Sequence, residues 1–259
     1  MIRKEMIKKH LITCSVMGVM VFISGLFICA KTDAKKVSRN TAEYKFIYAK
    51  NDISNEFSFA DEAIHVNDKR INLKLRKTLW RTSYNYVQSN VLQEEAIKLF
   101  PIIEPILKAN GIPEDFKYIP LVEAGLKSGV SKRGAAGWWQ FMPGTARTYG
   151  LKVGHGHDER YLIRKSTVAA CKYFKELYAE FNSWTLAAAA YNNGEIQLAR
   201  AIRKQSEDNY FRMHLNKETG SYLYRIIAMK QIIERPELYG YKKYYKYNAL
   251  QPADLMAFN

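Results

Sequence analysis

Glu123 is the residue to begin with. It follows the apolar run Ile119-Pro120-Leu121-Val122 and precedes a stretch from Gly125 to Gly137 that holds four glycines and two serines. Beyond that stretch come Gly137-Trp138-Trp139-Gln140-Phe141-Met142-Pro143, two large aromatics beside an amide. An acid at the end of an apolar element, facing a polar loop and an aromatic wall, suits general-acid chemistry. Burial beside apolar groups disfavours the ionised form, so such a carboxyl keeps its proton near neutral pH. The competing explanation is an exposed Glu at a helix end followed by two core tryptophans. For a lone Glu that explanation wins; what overturns it is the company Glu123 keeps.

Two further blocks lie downstream, Ala190-Tyr191-Asn192-Asn193-Gly194 and Glu218-Thr219 with Tyr222. With Glu123 and the Gly137–Pro143 block, they resemble the lytic transglycosylases of the goose-type-lysozyme superfamily, in particular the membrane-bound D type. The resemblance runs from Trp80 to Tyr241. Any one block alone is a weak signal, whereas four in the right order are a strong one. One position departs from the family pattern: the residue after the catalytic Glu is usually Ser, and here it is Ala124. That Ser is a supporting group, so the change bears on rate or fine geometry more than on reaction class.

The resemblance implies an all-α, lysozyme-like (goose-type) catalytic domain with an N-terminal helical extension, acting on peptidoglycan glycan strands. It implies cleavage of the β-1,4 bond between N-acetylmuramic acid and N-acetylglucosamine without water. Ordinary glycosidases flank the bond with two carboxylates, but the motifs here offer one well-placed acid. A single acid suffices if the N-acetyl carbonyl of the substrate stabilises the positive anomeric carbon. Glu123 would protonate the leaving oxygen, then take the proton of the muramyl 6-hydroxyl, which closes a 1,6-anhydro ring. Gln140 and Asn192 would hydrogen-bond the sugar or its acetamido group, and Tyr191 would position that group or the reactive centre. Glu218 would bind substrate or support the site, and Tyr222 belongs to the same substrate-binding set. Trp138, Trp139 and Met142 would shape the groove wall, or simply pack the core. No cofactor or metal is expected. A hydrolytic muramidase on the same scaffold and a non-catalytic wall-binding protein remain as alternatives.

The sequence has 259 residues, 40 of them basic and 25 acidic, a net charge of +15. Such a balance points to a polyanionic partner or surface. The N-terminus narrows the choice. Arg3, Lys4, Lys8 and Lys9 form a basic start, and Leu11 to Ala30 then carries no charge. Residues 1–30 therefore read as a secretory signal. Residues 11–30 are also long enough for a retained membrane anchor; cleavage, after Ala30 or Ala34, is favoured. A lipoprotein site at Cys29 conflicts with bulky Ile28. The folded part is then exported to the periplasm or the membrane-associated cell envelope. Nucleic acid is not an expected partner, and no nucleic-acid-binding motif is present. A mature chain keeps only Cys171, inside an apolar helical stripe and so read as core. No Cys/His spacing points to zinc, and His155 and His157 merely flank Gly156 in a loop.

The elements that must position these residues follow from periodicity. Residues 31–75 show none and read as a tether or a partly ordered extension, 76–241 as the catalytic domain with its N-terminal helices, and 242–259 as a basic aromatic tail. A helix is expected over 71–88, with Trp80 and Tyr84 on one face. Leu92, Ala96, Leu99, Ile103 and Ile106 define a helix over 91–109, which Pro101 should kink or break after Phe100. Asn110 to Pro113 stops it, and a short helix with Glu114 and Asp115 in its first turn delivers Glu123. Gly125–Gly137 is a loop, Phe141–Tyr149 a helix closed by Gly150, and 151–162 a loop in which Asp158-Glu159-Arg160-Tyr161 reads as a structural salt bridge and turn. Ile163, Thr167, Ala170, Phe174, Leu177 and Phe181 mark the clearest amphipathic helix. Trp184–Tyr191 should be buried all round, Glu195 opens another helix, 208–214 is read as a short one, and Ser221–Glu234 as the last long one, stopped by Pro236. No strand pattern appears beyond room for a short strand near the loops.

Overall fold

The computed structural model describes residues 57–87, 89–124, 129–154 and 156–241. The chain divides into two units, residues 1–50 and 51–259, and every described residue belongs to the second. The leader and anchor segment, the tether up to residue 56, Gly125–Ser128 of the central loop, His155 and the tail 242–259 lie outside the described residues.

The chain enters as a two-residue hairpin, β1 (Ser58–Phe59) with β2 (Glu62–Ala63). Its turn residues Ala60 and Asp61 have φ values of 53° and 64°, the twist that a two-residue hairpin demands. Phe59 is fully buried against Phe116, ring centroids 5.1 Å apart. The tether assignment for 31–75 is therefore corrected over residues 57–75: a hairpin and a capped helix occupy them. Short elements of this kind carry no periodicity of their own; they are held by long-range contacts. Asp115 accepts from the Ala60 backbone N–H at 2.8 Å and from Lys230 Nζ at 2.8 Å. The Glu62 carboxylate caps the N-terminus of a distant helix, accepting from Ser183 Oγ at 2.9 Å, Trp184 N–H at 2.5 Å and Thr185 N–H at 3.1 Å. Negative charge there meets free backbone donors and the positive end of the helix dipole.

Asp68 caps α1 (Lys69–Thr82) through the Arg70 and Ile71 N–H groups. The helix stops at Ser83 before a single turn, α2 (Tyr84–Val87), so the expected 71–88 helix is split. α3 (Val91–Ala109) buries Leu92, Ala96, Leu99 and Ile103 as the spacing required. It does not break at Pro101, and it also contains Pro105. Each proline deletes one helical hydrogen bond; burial of Leu99 to Ile103 against the rest of the core holds the helix through the loss. Gly111, at φ 66°, ends it. A 3₁₀ turn, Glu114–Tyr118, runs into α4 (Ile119–Glu123).

A bridge between Ala136 and Phe141 precedes α5 (Pro143–Thr148), shorter than the expected 141–149. β3 (Val153–Gly154) and β4 (His157–Asp158) make a second small hairpin, with His157 exposed. Then come α6 (Ile163–Phe181), α7 (Trp184–Asn193), α8 (Glu195–Gln205) and α9 (Thr219–Glu234). The class is all-α. Thr167, Ala170, Phe174 and Leu177 are buried on α6, together with the free Cys171. Ala187 to Ala190 on α7 are wholly buried; their small side chains let neighbouring helices approach closely. Residues 208–214 are turn rather than helix. Asn209 accepts the backbone N–H groups of Arg212 and Met213, and the buried Tyr210 hydroxyl donates to the Thr219 carbonyl. The first two bonds close the turn on itself, and the third ties it to the start of α9.

Candidate active site

Four elements meet at one cleft of about 490 Å³. Its lining includes Glu123 from the end of α4, Gln140 and Met142 from the aromatic block, Tyr191 and Asn192 from α7, and Glu218 just before α9. All six are residues that the sequence singled out. Tyr222 stands behind them, fully buried on α9. Its hydroxyl donates to Glu123 Oε1 at 2.5 Å, across 99 residues of chain.

Burial holds the Glu123 carboxyl above the usual carboxylate range; the Tyr222 hydrogen bond and the charge of Arg225 oppose the rise, and the charge of Glu218 adds to it. Burial likewise pushes the Tyr222 hydroxyl well above its ordinary value, with the Glu123 charge adding to it. Tyr222 therefore stays protonated and can only donate here. A short bond from a neutral phenol to a carboxyl fixes the direction of that carboxyl without neutralising it. The Arg225 guanidinium carbon lies 5.6 Å from the centre of the Tyr222 ring.

Gln140 takes a left-handed conformation, φ 48°. Its Nε2 donates to the Gly137 carbonyl at 2.8 Å and to that of Gly129 at 3.1 Å. Two carbonyls settle the orientation of the amide and leave its Oε1 as the free end. Tyr191 donates to the Trp139 carbonyl at 2.6 Å and packs on Phe174, ring centroids 4.6 Å apart. Asn192 Oδ1 is buried in the cleft wall with no hydrogen-bond partner among the described residues. An unpaired buried acceptor is costly, and a donor on a ligand would relieve it. Met142 is 42% exposed.

The tryptophans divide. Trp139 is completely buried, and its Nε1 donates to Thr167 Oγ1 at 2.9 Å. It is core, not groove wall. Trp138 is half-buried and does not line the cleft. Arg160 explains how the block is held. Its guanidinium pairs with Asp158 at 2.7 Å and donates to the carbonyls of Gly134 and Phe141 at 2.7 and 2.9 Å. The Asp158–Arg160 element is thus the structural salt bridge expected of it, and Glu159 is bound to Lys165 at 2.6 Å. Asp158 and Glu159 are not cleft carboxylates.

Residues 100–213 match the family model of the transglycosylase SLT domain. Over 140 residues it is 31% identical to membrane-bound lytic murein transglycosylase D of Escherichia coli strain K12, a match covering 52% of this chain and 31% of the relative. The protein of that name from Escherichia coli O6:H1 matches at the same identity and coverage. This chain therefore spans less than a third of the length of those relatives. Glu218 and Tyr222 fall beyond the matched segment of the SLT domain, yet the fold returns both to Glu123.

Sequence reasoning missed several residues around the cleft. Ser131, Lys132, Arg133 and Ala135 line its rim; the signal was the polar composition of the loop itself. Asn193 Oδ1 accepts from Asn216 Nδ2 and Thr219 Oγ1, both at 3.1 Å, which ties the Ala190–Gly194 block to the Glu218-Thr219 block. No local pattern marks Asn216.

Ala124 is buried, and its N–H donates to the Pro120 carbonyl. A hydroxyl beside the carboxyl would favour the ionised form and lower its pKa. A general acid loses activity as pH rises through its pKa. Ala124→Ser is therefore expected to move the alkaline limb of the pH–rate profile down, by a fraction of a unit to about one unit. Parallel profiles of the two proteins on one peptidoglycan preparation check it; coincident alkaline limbs would mean that position 124 does not reach the carboxyl.

Proposed function

We propose that this protein is a peptidoglycan lytic transglycosylase. It cleaves the β-1,4 bond between N-acetylmuramic acid and N-acetylglucosamine and leaves a 1,6-anhydro end. The observation that carries the proposal is the Glu123 carboxyl, raised by burial and held by Tyr222 at the wall of an open cleft. A raised pKa favours the protonated form that a general acid needs. Glu123 gives its proton to the leaving oxygen, and the bond to the anomeric carbon breaks as the substrate acetamido carbonyl supports the positive charge. Glu123, now a carboxylate, is stabilised by the Tyr222 hydrogen bond and the nearby Arg225 charge. It takes the proton of the muramyl 6-hydroxyl, and that oxygen closes the ring. The proton is returned, so acid and base are one residue.

The substrate-binding roles follow from the free valences at the cleft. Asn192 Oδ1 accepts from an acetamido N–H or a sugar hydroxyl, and Gln140 Oε1 does the same from another part of the cleft lining. Met142 offers an apolar surface to a sugar face, and Tyr191 sets the depth of the floor. Glu218 accepts from sugar hydroxyls, and its charge adds to burial in raising the Glu123 pKa. Export through residues 1–30 places the enzyme at the cell envelope, with residues 11–30 as its route of membrane attachment where the leader is kept; the envelope is where peptidoglycan is found.

Product mass decides the reaction. Purified peptidoglycan digested with the protein should yield muramyl ends one water lighter than those left by hydrolysis. Ordinary reducing muramic ends would assign a muramidase instead, and an absence of soluble fragments would assign a wall-binding protein.

A further inference from the structure

The rim of the cleft carries two cations that pair with no acid among the described residues. Residues Ser131 to Gly134 form a tight turn closed by the Gly134 N–H on the Ser131 carbonyl at 2.9 Å. Lys132 and Arg133 are its two corners, and both are exposed. The base of the turn is tied down. The Ser131 N–H donates to the Ala135 carbonyl at 2.8 Å, Ser131 Oγ accepts from the Ala135 N–H at 3.0 Å, and the Gly134 carbonyl is held by Arg160. No hydrogen bond or ion pair joins either corner side chain to another described residue. The described acids of the cleft, Glu123 and Glu218, lie along the same lining, and neither pairs with the corners. A fixed turn thus presents two unspent positive charges beside the reacting carboxyl.

The sugars of the substrate are neutral. Its negative charge sits on peptides joined to muramic acid through the lactyl group, as free carboxylates. A muramyl unit whose anomeric carbon lies at Glu123 carries its peptide out over the cleft rim. We infer that Lys132 and Arg133 bind carboxylates of the stem peptide, so that this protein selects peptide-bearing glycan over stripped glycan. The inference rests on the reading of the cleft as a peptidoglycan site. It differs from it in naming the peptide, not the sugar, as a recognised part. Exposed charge pairs are individually weak and screened by salt, so the selection is a matter of a few-fold.

The test compares two preparations of the same glycan strands, one with intact peptides and one with peptides removed by an amidase. The ratio of cleavage rates at subsaturating substrate is the readout, which divides out any general change in activity. The wild-type ratio should favour peptide-bearing strands by about two- to ten-fold, and fall toward one in 0.5 M salt and in K132Q/R133Q. The salt arm uses the unmodified protein, so a variant that fails to fold does not remove the test. A wild-type ratio of one, or a ratio unchanged by salt and by the double substitution, overturns the inference while leaving the enzyme reading intact. Cleavage of neither preparation overturns the enzyme reading, and this inference with it.

Discussion

Glu123→Gln is expected to keep the fold and to slow the release of soluble glycan fragments by about 10²- to 10⁴-fold, the usual worth of a positioned general acid–base. The amide has the same shape and can still accept from Tyr222, so packing survives while proton transfer does not. A stability signature accompanies the loss. Burial raises the folded-state pKa of Glu123 above its unfolded value. The folded protein therefore binds this proton more tightly than the unfolded chain does. The stability tied to that proton is fully present below the unfolded pKa and is lost as pH rises through the folded one. The amide has no such loss. The variant should melt with the wild type at acid pH and above it at neutral and alkaline pH. Near-normal activity, or a melting difference that grows toward acid, would remove Glu123 from the role assigned to it.

Gly137→Ala should cost more stability than any other single change at the cleft. Gly137 sits at φ 75°, and a Cβ built there would lie 2.0 Å from the Arg160 carbonyl oxygen. That oxygen is backbone, so it cannot swing aside. A left-handed conformation costs a side chain about 1–2 kcal/mol, and forcing atoms into a packed interior typically costs another 1–3 kcal/mol. The sum, about 2–5 kcal/mol, is a large part of the total stability of an ordinary domain. The damage is also local to function. The Gly137 carbonyl accepts from Gln140, and Arg160 grips the carbonyls on either side of the block. Urea unfolding of the two proteins measures the change as a lowered midpoint, and a midpoint within error of the wild type would mean that the backbone at Arg160 yields freely.

Much of the site was legible in the sequence, for reasons that can be named. Glu123 stands out because an acid at the end of an apolar run, ahead of a glycine-rich loop, has few bland explanations once three more blocks follow in order. The helices around it are legible because burial of one face imposes a period: Leu92 to Ile103 on α3 and Thr167 to Leu177 on α6 are buried where their spacing required. The Ala-rich stretch is legible because a helix without a polar face must be central, and Ala187–Ala190 are wholly buried. Cys171 is core because it lies on the buried face of α6.

Tertiary structure alone decided the rest. Periodicity reports that a face is buried, not what it meets. That Tyr222 reaches Glu123 depends on how α9 packs beside α4, a contact 99 residues apart in the chain. Trp138 and Trp139 are neighbours of one type, and only the placement of Thr167 on α6 sends one of them into the core. The continuity of α3 through two prolines was decided by the core around it, which outweighs a local preference. The hairpin at 58–63 was invisible because two-residue strands have no period; what fixes it are Asp115 and the N-terminus of α7, both far away in sequence. Local pattern determines which side chains must leave water. Directional bonds between distant segments determine which of them face the cleft, and those exist only once the chain has folded.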